Sequence, residues 1–546
     1  MKKNSFIEGT IVAYMSILIT KILGAVYVIP FYKIIGTEGG ILYSYAYNVY
    51  NLFLNISTSG IPTAVSIIIA EYNALKMYNE REKTYKLANK VIFMISFIAF
   101  LVMFAFAGSI GQFFVGDIED STSIESIKLV IRTISFCLLI IPFLSVTRGY
   151  LQGNKYVSSS SFSQLIEQIT RIFIVLVGSY IAINLLSSSI PVGVSVALSG
   201  TVLGGLAAFL YLKHKIHKNK DELNEGVTSI DNAKVSNKEI INKIITHAIP
   251  VIVISITQNL YEMVDMKLII KGLYMIGYKA QTSELLASII ITWAPKICMI
   301  INAIATGLCM SIIPFIVSSY VKKDKKELNN KFNQAINTIL VAGIPLALFI
   351  IAFSKQVYFV FYGDSKYGGI ILSALAIVSI SFSIQLVSNM ILQGMKKYKI
   401  VYLNTIVGVI VNAFLDIPII LLLNKVSLPP YLGSLFATII GQLVAFSIVL
   451  ISLKREFSFS YNSIFTTLFK SLVTSLIVMI FMILLRNLLF TESTYIITII
   501  KLGLSGLISM SLYILIAYKS GFLIKVLGED TINKILVKLK LKKIGD

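Results

Sequence analysis

Fourteen apolar stretches, each long enough to cross a bilayer as a helix, constrain this chain more than any motif in it. They lie near residues 9–35, 41–72, 91–114, 128–151, 159–184, 190–213, 244–270, 284–320, 332–354, 368–394, 400–423, 430–453, 467–486 and 495–518. With 56% apolar and only 14% charged residues over 546 positions, the composition excludes an ordinary soluble protein. A helix satisfies its own backbone hydrogen bonds in lipid, so the expected fold is an all-α polytopic membrane protein. The first stretch exceeds a signal-peptide core in length and lacks a small-residue cleavage site, so it reads as a retained span.

The net charge of +21 would suggest a nucleic-acid partner in a soluble chain, but its distribution here is topological. Connections after even-numbered spans carry Lys76, Arg81, Lys83, Lys86 and Lys90, then Arg148 and Lys155, then Lys213, Lys215, Lys218 and Lys220. The pattern continues with Lys322, Lys323, Lys325 and Lys326, and with Lys396, Lys397 and Lys399. Odd-numbered connections are poor in lysine, and one holds Asp117, Glu119, Asp120 and Glu125. The positive-inside rule therefore places both termini in the cytoplasm and leaves no role for nucleic acid. Cys137, Cys298 and Cys309 lie in apolar runs and share no ligand spacing with His214, His217 and His247, which argues against a disulfide framework or a structural metal.

The longest polar insert divides the chain. It gives an N-terminal six-helix lobe over 1–213, a linker over 214–243 and a C-terminal six-helix lobe over 244–453. Leu151-Gln152-Gly153 after the fourth span returns as Leu392-Gln393-Gly394 after the tenth. A weaker echo joins Ser59 through Tyr72 on the second span to Thr306 through Tyr320 on the eighth. A six-span offset preserves orientation, so the halves read as parallel repeats. Spans thirteen and fourteen, within 454–518, are additions to that core. Along 519–546, Ile532, Ile535, Leu536 and Leu539 share one helical face among lysines, the pattern of a basic amphipathic tail on the membrane surface.

Ionisable residues inside spans must be paired, hydrated or used. Lys21, midway along the first span, either pairs or snorkels, or it faces a polar cavity and meets an anion. Lys296, beside a helix-loosening Pro295 on span eight, has the same two readings; two such cations on opposite halves would suit a diphosphate. Glu167 and Arg171 stand four apart on span five and are expected to pair within that helix. Arg132 is expected to snorkel. Glu262 and Asp265 share a face of span seven, from which Lys267 points elsewhere. Asn412 and Asp416 share a face of span eleven, and their oxygens suit Na⁺ or a proton, or else Asp416 pairs with a lysine.

No phosphate-cradling loop, zinc spacing or nucleophile set appears, which favours a transporter over an enzyme. A membrane glycosyltransferase using the acidic loop Asp117 to Glu125 is the competing class, and it lacks a large accompanying domain.

Leu18-Ile19-Thr20-Lys21-Ile22-Leu23-Gly24, Ile29-Pro30-Phe31-Tyr32, the run Gly39 to Tyr47, Ser59-Gly60-Ile61-Pro62 and the two Leu-Gln-Gly turns together resemble the MurJ lipid II flippases of the Gram-positive, YtgP-like branch. These belong to the multidrug/oligosaccharidyl-lipid/polysaccharide (MOP) exporter superfamily. The resemblance covers essentially the whole chain. It implies two six-helix lobes in a V, with spans one, two, seven and eight lining a cationic cavity and spans thirteen and fourteen forming a groove for a polyprenyl tail. It implies a plasma-membrane monomer that flips undecaprenyl-diphosphate-linked peptidoglycan precursor, lipid II, to the outer face by alternating access. Lys21 then matches the first cavity cation, with lysine in place of arginine, and Lys296 matches the eighth-span cation. Tyr27 and Leu54 stand approximately where Gram-negative members carry further arginines, and Tyr43, Tyr45 and Tyr47 serve either sugar contacts or packing. Asp265, Asn412, Asp416 and Thr438 map onto the family's sodium site, with Na⁺ as coupling ion and no other cofactor. The alternatives are a Wzx-like or SpoVB-like flippase for another lipid-linked glycan, and a cation-coupled exporter of small molecules.

Overall fold

The computed structural model describes residues 15–16, 19–24, 26–116, 118–223, 227, 234–490 and 494–527. Among them every regular element is helical. By packing, the chain divides into two compact units, Met1–Ser288 and Ile289–Asp546. The expected tail helix over 528–543 and the acidic Asp117 lie outside the described residues.

The first unit holds a helical stretch at 19–24, then α1 (Val28–Thr58), α2 (Ile61–Ala74), α3 (Tyr78–Ala105), α4 (Ala107–Val115) and α5 (Ile124–Ser135). It continues with α6 (Ile141–Gly153), α7 (Val157–Phe173), α8 (Ile190–Lys218), α9 (Asn237–Met275) and α10 (Ala280–Ser288). The second unit opens with a π-helical turn, Ile289–Trp293, followed by α11 (Ala294–Val321), α12 (Lys325–Ala352), α13 (Ser354–Tyr362) and α14 (Gly368–Gly394). It ends with α15 (Tyr398–Lys425), α16 (Gly433–Phe457), α17 (Asn462–Leu489), α18 (Tyr495–Lys519) and α19 (Phe522–Leu527).

Among the described residues, twelve helical runs are long and apolar enough to cross a membrane. The first, Ile19–Ala74, has 56 residues, long enough for more than one crossing of a bilayer core. Gly36 interrupts it at φ 67°, ψ −169°, a conformation only glycine adopts without strain. Read as two crossings, and joined by the 39-residue α9, these runs account for the fourteen expected stretches. Prolines 62, 142 and 191 stand in the first turns of α2, α6 and α8, where a missing N–H costs nothing.

The two halves repeat a turn as well as a sequence. After α2, α6, α11 and α14 the chain turns through Lys76, Lys155, Lys323 and Lys396, all at φ between 57° and 67°. Each turn closes with the N–H of the next residue on a carbonyl five residues back: Met77 on Tyr72, Tyr156 on Leu151, Asp324 on Ser319 and Lys397 on Leu392, at 2.8–3.0 Å. The partners correspond too, since α2 packs on α6 as α11 packs on α14. This local agreement is what the Leu-Gln-Gly echo encodes.

The basic connection before α9 is held against the first unit. Lys83 donates to the Val235 carbonyl at 2.8 Å, the Lys234 N–H to Glu80 at 2.8 Å, and Tyr156 to Glu222 at 2.7 Å. Arg81, read from the sequence as part of a basic connection, is 5% exposed and donates to the Leu223 carbonyl.

α17 and α18 show the polarity of membrane helices. Ser471, Thr474, Ser475, Ser505 and Ser509 are buried, whereas Phe469, Ile480, Leu484, Leu488 and Leu507 face outward. Small polar residues let helices approach closely, and lipid takes the apolar face. Tyr513 of α18 donates to the Val341 carbonyl of α12 at 2.9 Å and lies 3.0 Å from the Ser471 hydroxyl of α17, tying the added pair to the unit.

Candidate functional site

The intramembrane charges fall into separate clusters within the two units. In the first unit, Lys21 is half-buried in the stretch 19–24. One turn on, Gly24 faces α7, for a Cβ there would stand 3.4 Å from the amide nitrogen of Gln168.

The expected Glu167–Arg171 pair is not what forms. Arg148, read from the sequence as a loop cation, lies in α6 and donates to Glu167 at 2.8 Å and to Ser163 at 2.8 Å. The side chains of Arg148 and Glu167 are only 15% and 18% exposed, so the pair is largely desolvated. A spacing of four within a helix competes with a donor from the preceding helix, and here the tertiary partner takes the hydrogen bond. Arg171 donates instead to Gln168 and has Tyr27, Tyr47, Glu167 and Tyr43 as electrostatic neighbours. The hydroxyls of Tyr27 and Tyr43 are hydrogen-bonded, and the rings of Tyr43 and Tyr47 stack at 5.3 Å.

Two further features of this unit have no sequence signal. Glu284 of α10, fully buried, accepts from Tyr45 of α1 at 3.1 Å and from the backbone and hydroxyl of Thr122 at 3.0 and 2.6 Å. Lys267 stands 4.0 Å from the centre of the Phe113 ring, which stabilises its ammonium without neutralising it. Arg132 donates to the Phe104 carbonyl at 3.2 Å and lies over that ring, in keeping with its expected structural role.

In the second unit the chain enters through the π-helical turn Ile289–Trp293 and Pro295, which interrupts helical hydrogen bonding next to Lys296. The Lys296 ammonium lies 4.2 Å from the centre of the Trp293 ring, one helical turn away. Trp293 is fully buried; its carbonyl accepts from the Tyr362 hydroxyl at 2.7 Å, and the two rings meet edge to face at 5.6 Å. The i, i+3 spacing of an aromatic and a lysine was a readable signal for this platform.

Asn412 and Asp416 are fully buried on α15. Their face packs on α16, where a Cβ on Gly441 would stand 2.6 Å from the Gly408 carbonyl and 3.2 Å from the Asn412 Cβ. Gly433 meets Ile420 at the other end of the same antiparallel pair, a register that sets Asp416 near the level of Thr438. Thr438 is 6% exposed and donates to the Ser434 carbonyl at 2.9 Å. A carboxylate, an amide oxygen and a hydroxyl are hard oxygen donors that fit a monovalent cation. Asp265, 3% exposed, belongs to α9 of the first unit. Among the described residues no group of three His, Cys, Asp or Glu side chains could hold a metal ion.

Residues 6–317 match the family model described as polysaccharide biosynthesis protein, and residues 250–417 match the MatE model. The chain is 30% identical over 468 residues to the lipid II flippase MurJ of Bacillus subtilis (strain 168), covering 84% of each. It is 24% identical to stage V sporulation protein B of the same organism, over 81% of this chain and 82% of that one. Among solved structures, an inward closed conformation of lipid II flippase MurJ superimposes with a TM-score of 0.61 at 15% identity, covering 92% of this chain and 98% of that one. An inward-facing multidrug resistance MATE family transporter of the MOP superfamily also reaches 0.61, at 16% identity, covering 80% and 95%. With this identity, coverage and fold, the chain belongs to the MurJ flippase family of the MOP superfamily.

Proposed function

We propose that the protein flips lipid II, the undecaprenyl-diphosphate-linked peptidoglycan precursor, from the cytoplasmic to the outer face of the plasma membrane by alternating access. The observation that carries this reading is the 30% identity to lipid II flippase MurJ across 84% of both chains. Transport of this kind makes and breaks no covalent bond. It needs a cation for the diphosphate inside the membrane, a role proposed separately for Lys21 in the first unit and for Lys296 in the second. Their electrostatic hold on phosphate oxygens strengthens where water is excluded.

Asn412, Asp416 and Thr438 are the proposed Na⁺ ligands of the second unit; a bound Na⁺ would supply positive charge to these buried oxygens. The alternation of basic and lysine-poor connections supports cytoplasmic termini. The repeated lysine turns support lobes descending from 1–213 and 244–453, joined by 214–243 and followed by the two added spans. We read the transporting unit as a monomer.

The likeness to stage V sporulation protein B favours one second reading, a flippase for another lipid-linked glycan. Rescue of a cell depleted of its lipid II flippase, read as exposure of lipid II on the outer surface, separates the two. Rescue supports lipid II as substrate; failure by an abundant, correctly inserted protein supports the second reading.

A further inference from the structure

With Glu167 taken by Arg148, Arg171 lies beside a set of buried donors that the helix packing does not use. The Nε of Arg171, the amide nitrogen of Gln168 and the hydroxyl of Thr20 are all buried and make no hydrogen bond among the described residues. Gln168 is only 2% exposed. Its amide nitrogen reaches the Gly24 face of the first span, and Thr20 stands one turn earlier on that same face. The three residues therefore bring two elements of the first unit to one place. A buried amide or guanidinium N–H left without an acceptor is costly, and native interiors rarely tolerate several together.

We infer that Thr20, Gln168 and Arg171 form an anion-binding subsite for an oxyanion of the diphosphate class. Of the three unused atoms, two are obligate donors and the third is a hydroxyl that can turn to donate. The Gln168 oxygen, which could have repelled an anion, is occupied by its bond from Arg171. Glu167, the carboxylate among the electrostatic neighbours of Arg171, is held by Arg148, so the two arginines and one glutamate leave one positive charge. Glu262 of α9 is a neighbour of Tyr47 but not among the leading electrostatic neighbours of Arg171. Glycine at position 24 sets no side chain against the Gln168 amide. Lys21 stands one turn before Gly24, the position set against the Gln168 amide, so the subsite would add directional hydrogen bonds to the point charge of the lysine. The subsite rests on the flippase reading only for the identity of the diphosphate; its donor chemistry would equally take a small inorganic anion.

The test uses the full chain in nanodiscs, with undecaprenyl diphosphate and inorganic pyrophosphate as separate probes. Gln168→Glu is close to isosteric, keeps the acceptor for Arg171 and turns the unused donor into a carboxylate oxygen. A purely structural Gln168 predicts equal or higher thermal stability and unchanged binding. An anion subsite predicts that stability is kept while affinity for a probe that the wild type binds falls roughly 10- to 100-fold, the range for a hydrogen bond to a charged group. Arg171→Leu should lower affinity at least as much where it folds. Wild-type binding of pyrophosphate in competition with the lipid identifies the diphosphate itself as the ligand; binding of the lipid alone identifies a subsite that also requires the chain. If both probes bind Gln168→Glu as they bind the wild type, the inference is wrong. If the wild type binds pyrophosphate in a Gln168-dependent way but no undecaprenyl lipid, the subsite stands and the flippase reading falls.

Discussion

Thr122 presents both its backbone N–H and its hydroxyl to the buried carboxylate of Glu284, at 3.0 and 2.6 Å. The two are 162 residues apart, and Tyr45 donates to the same carboxylate, so one side chain fastens a loop, α1 and α10 together. Glu284→Ala removes the acceptor for three donors, each worth about 1–3 kcal/mol when stranded in a buried setting. Its thermal midpoint in detergent should fall clearly, and amide exchange over 118–124 should accelerate. Thr122→Val, which strands only part of Glu284, should give a smaller change. Unaltered exchange in Glu284→Ala would mean that packing, not the carboxylate, holds the loop.

Lys21→Ala should abolish or severely reduce lipid II exposure at unchanged protein abundance, because a lost charge-assisted contact of about 1.5–3 kcal/mol lowers headgroup affinity tenfold or more. Lys21→Arg keeps the charge and should retain most of the function. A fully active Lys21→Ala protein in the rescue assay removes Lys21 from the substrate path.

The helices were legible because each apolar run had to satisfy its backbone in lipid, and the turns after α6 and α14 were legible through the repeated Leu-Gln-Gly, whereas the matching turns after α2 and α11 emerge from the structure. Asn412 and Asp416 were legible as a pair because a spacing of four puts both on one helix face. The partner of Glu167 was not. Sequence spacing scores Arg171 as a neighbour but says nothing of Arg148, which reaches the same oxygen from another helix. Glu284 was missed for a related reason, since its donors arrive from a loop and a helix far away in the chain. Pairs within an element follow from periodicity; pairs between elements depend on packing that one sequence does not state.

Trp293, the chain's single tryptophan, carries the Lys296 ammonium on its ring at 4.2 Å. The indole ring holds the ammonium in place, so Trp293→Leu should weaken binding of undecaprenyl diphosphate through lost positioning of Lys296, and Trp293→Phe considerably less. The same residue reports the event: binding should change the wild-type tryptophan emission, and Lys296→Met should remove that change. Equal affinity for Trp293→Leu and wild type would reduce the indole to filler.

Lys243 forms an ion pair with Glu71 at 2.7 Å, and that hydrogen bond raises its pKa above the ordinary lysine value. A raised folded-state pKa gives stability that is fully present below the unfolded value and lost only as pH climbs through the folded one. The lysine side of this pair is therefore constant through neutral pH. The stability difference between wild type and Lys243→Met should be flat from about pH 7 to 9. A decline within that window would assign the pH response to another group.

Gly441 and Gly408 set how closely α15 and α16 approach, and the proposed sodium ligands depend on that approach. A Cβ at 441 would stand 2.6 Å from a backbone oxygen, which cannot swing aside as a side chain can. Gly441→Ala should therefore push the helices apart beside Asn412, at a cost of about 1–3 kcal/mol for overpacking. If Asn412, Asp416 and Thr438 hold Na⁺, the variant should also need more sodium for half-maximal transport. Asp416→Asn removes the charge without changing shape and should abolish the sodium dependence while leaving the thermal midpoint in sodium-free buffer nearly unchanged or raised, since burying a neutral amide costs less than burying a carboxylate. Sodium-induced thermal stabilisation of the wild type, absent in Asp416→Asn, supports the site independently of transport. If sodium neither stabilises nor drives the wild type, these oxygens serve packing or a proton.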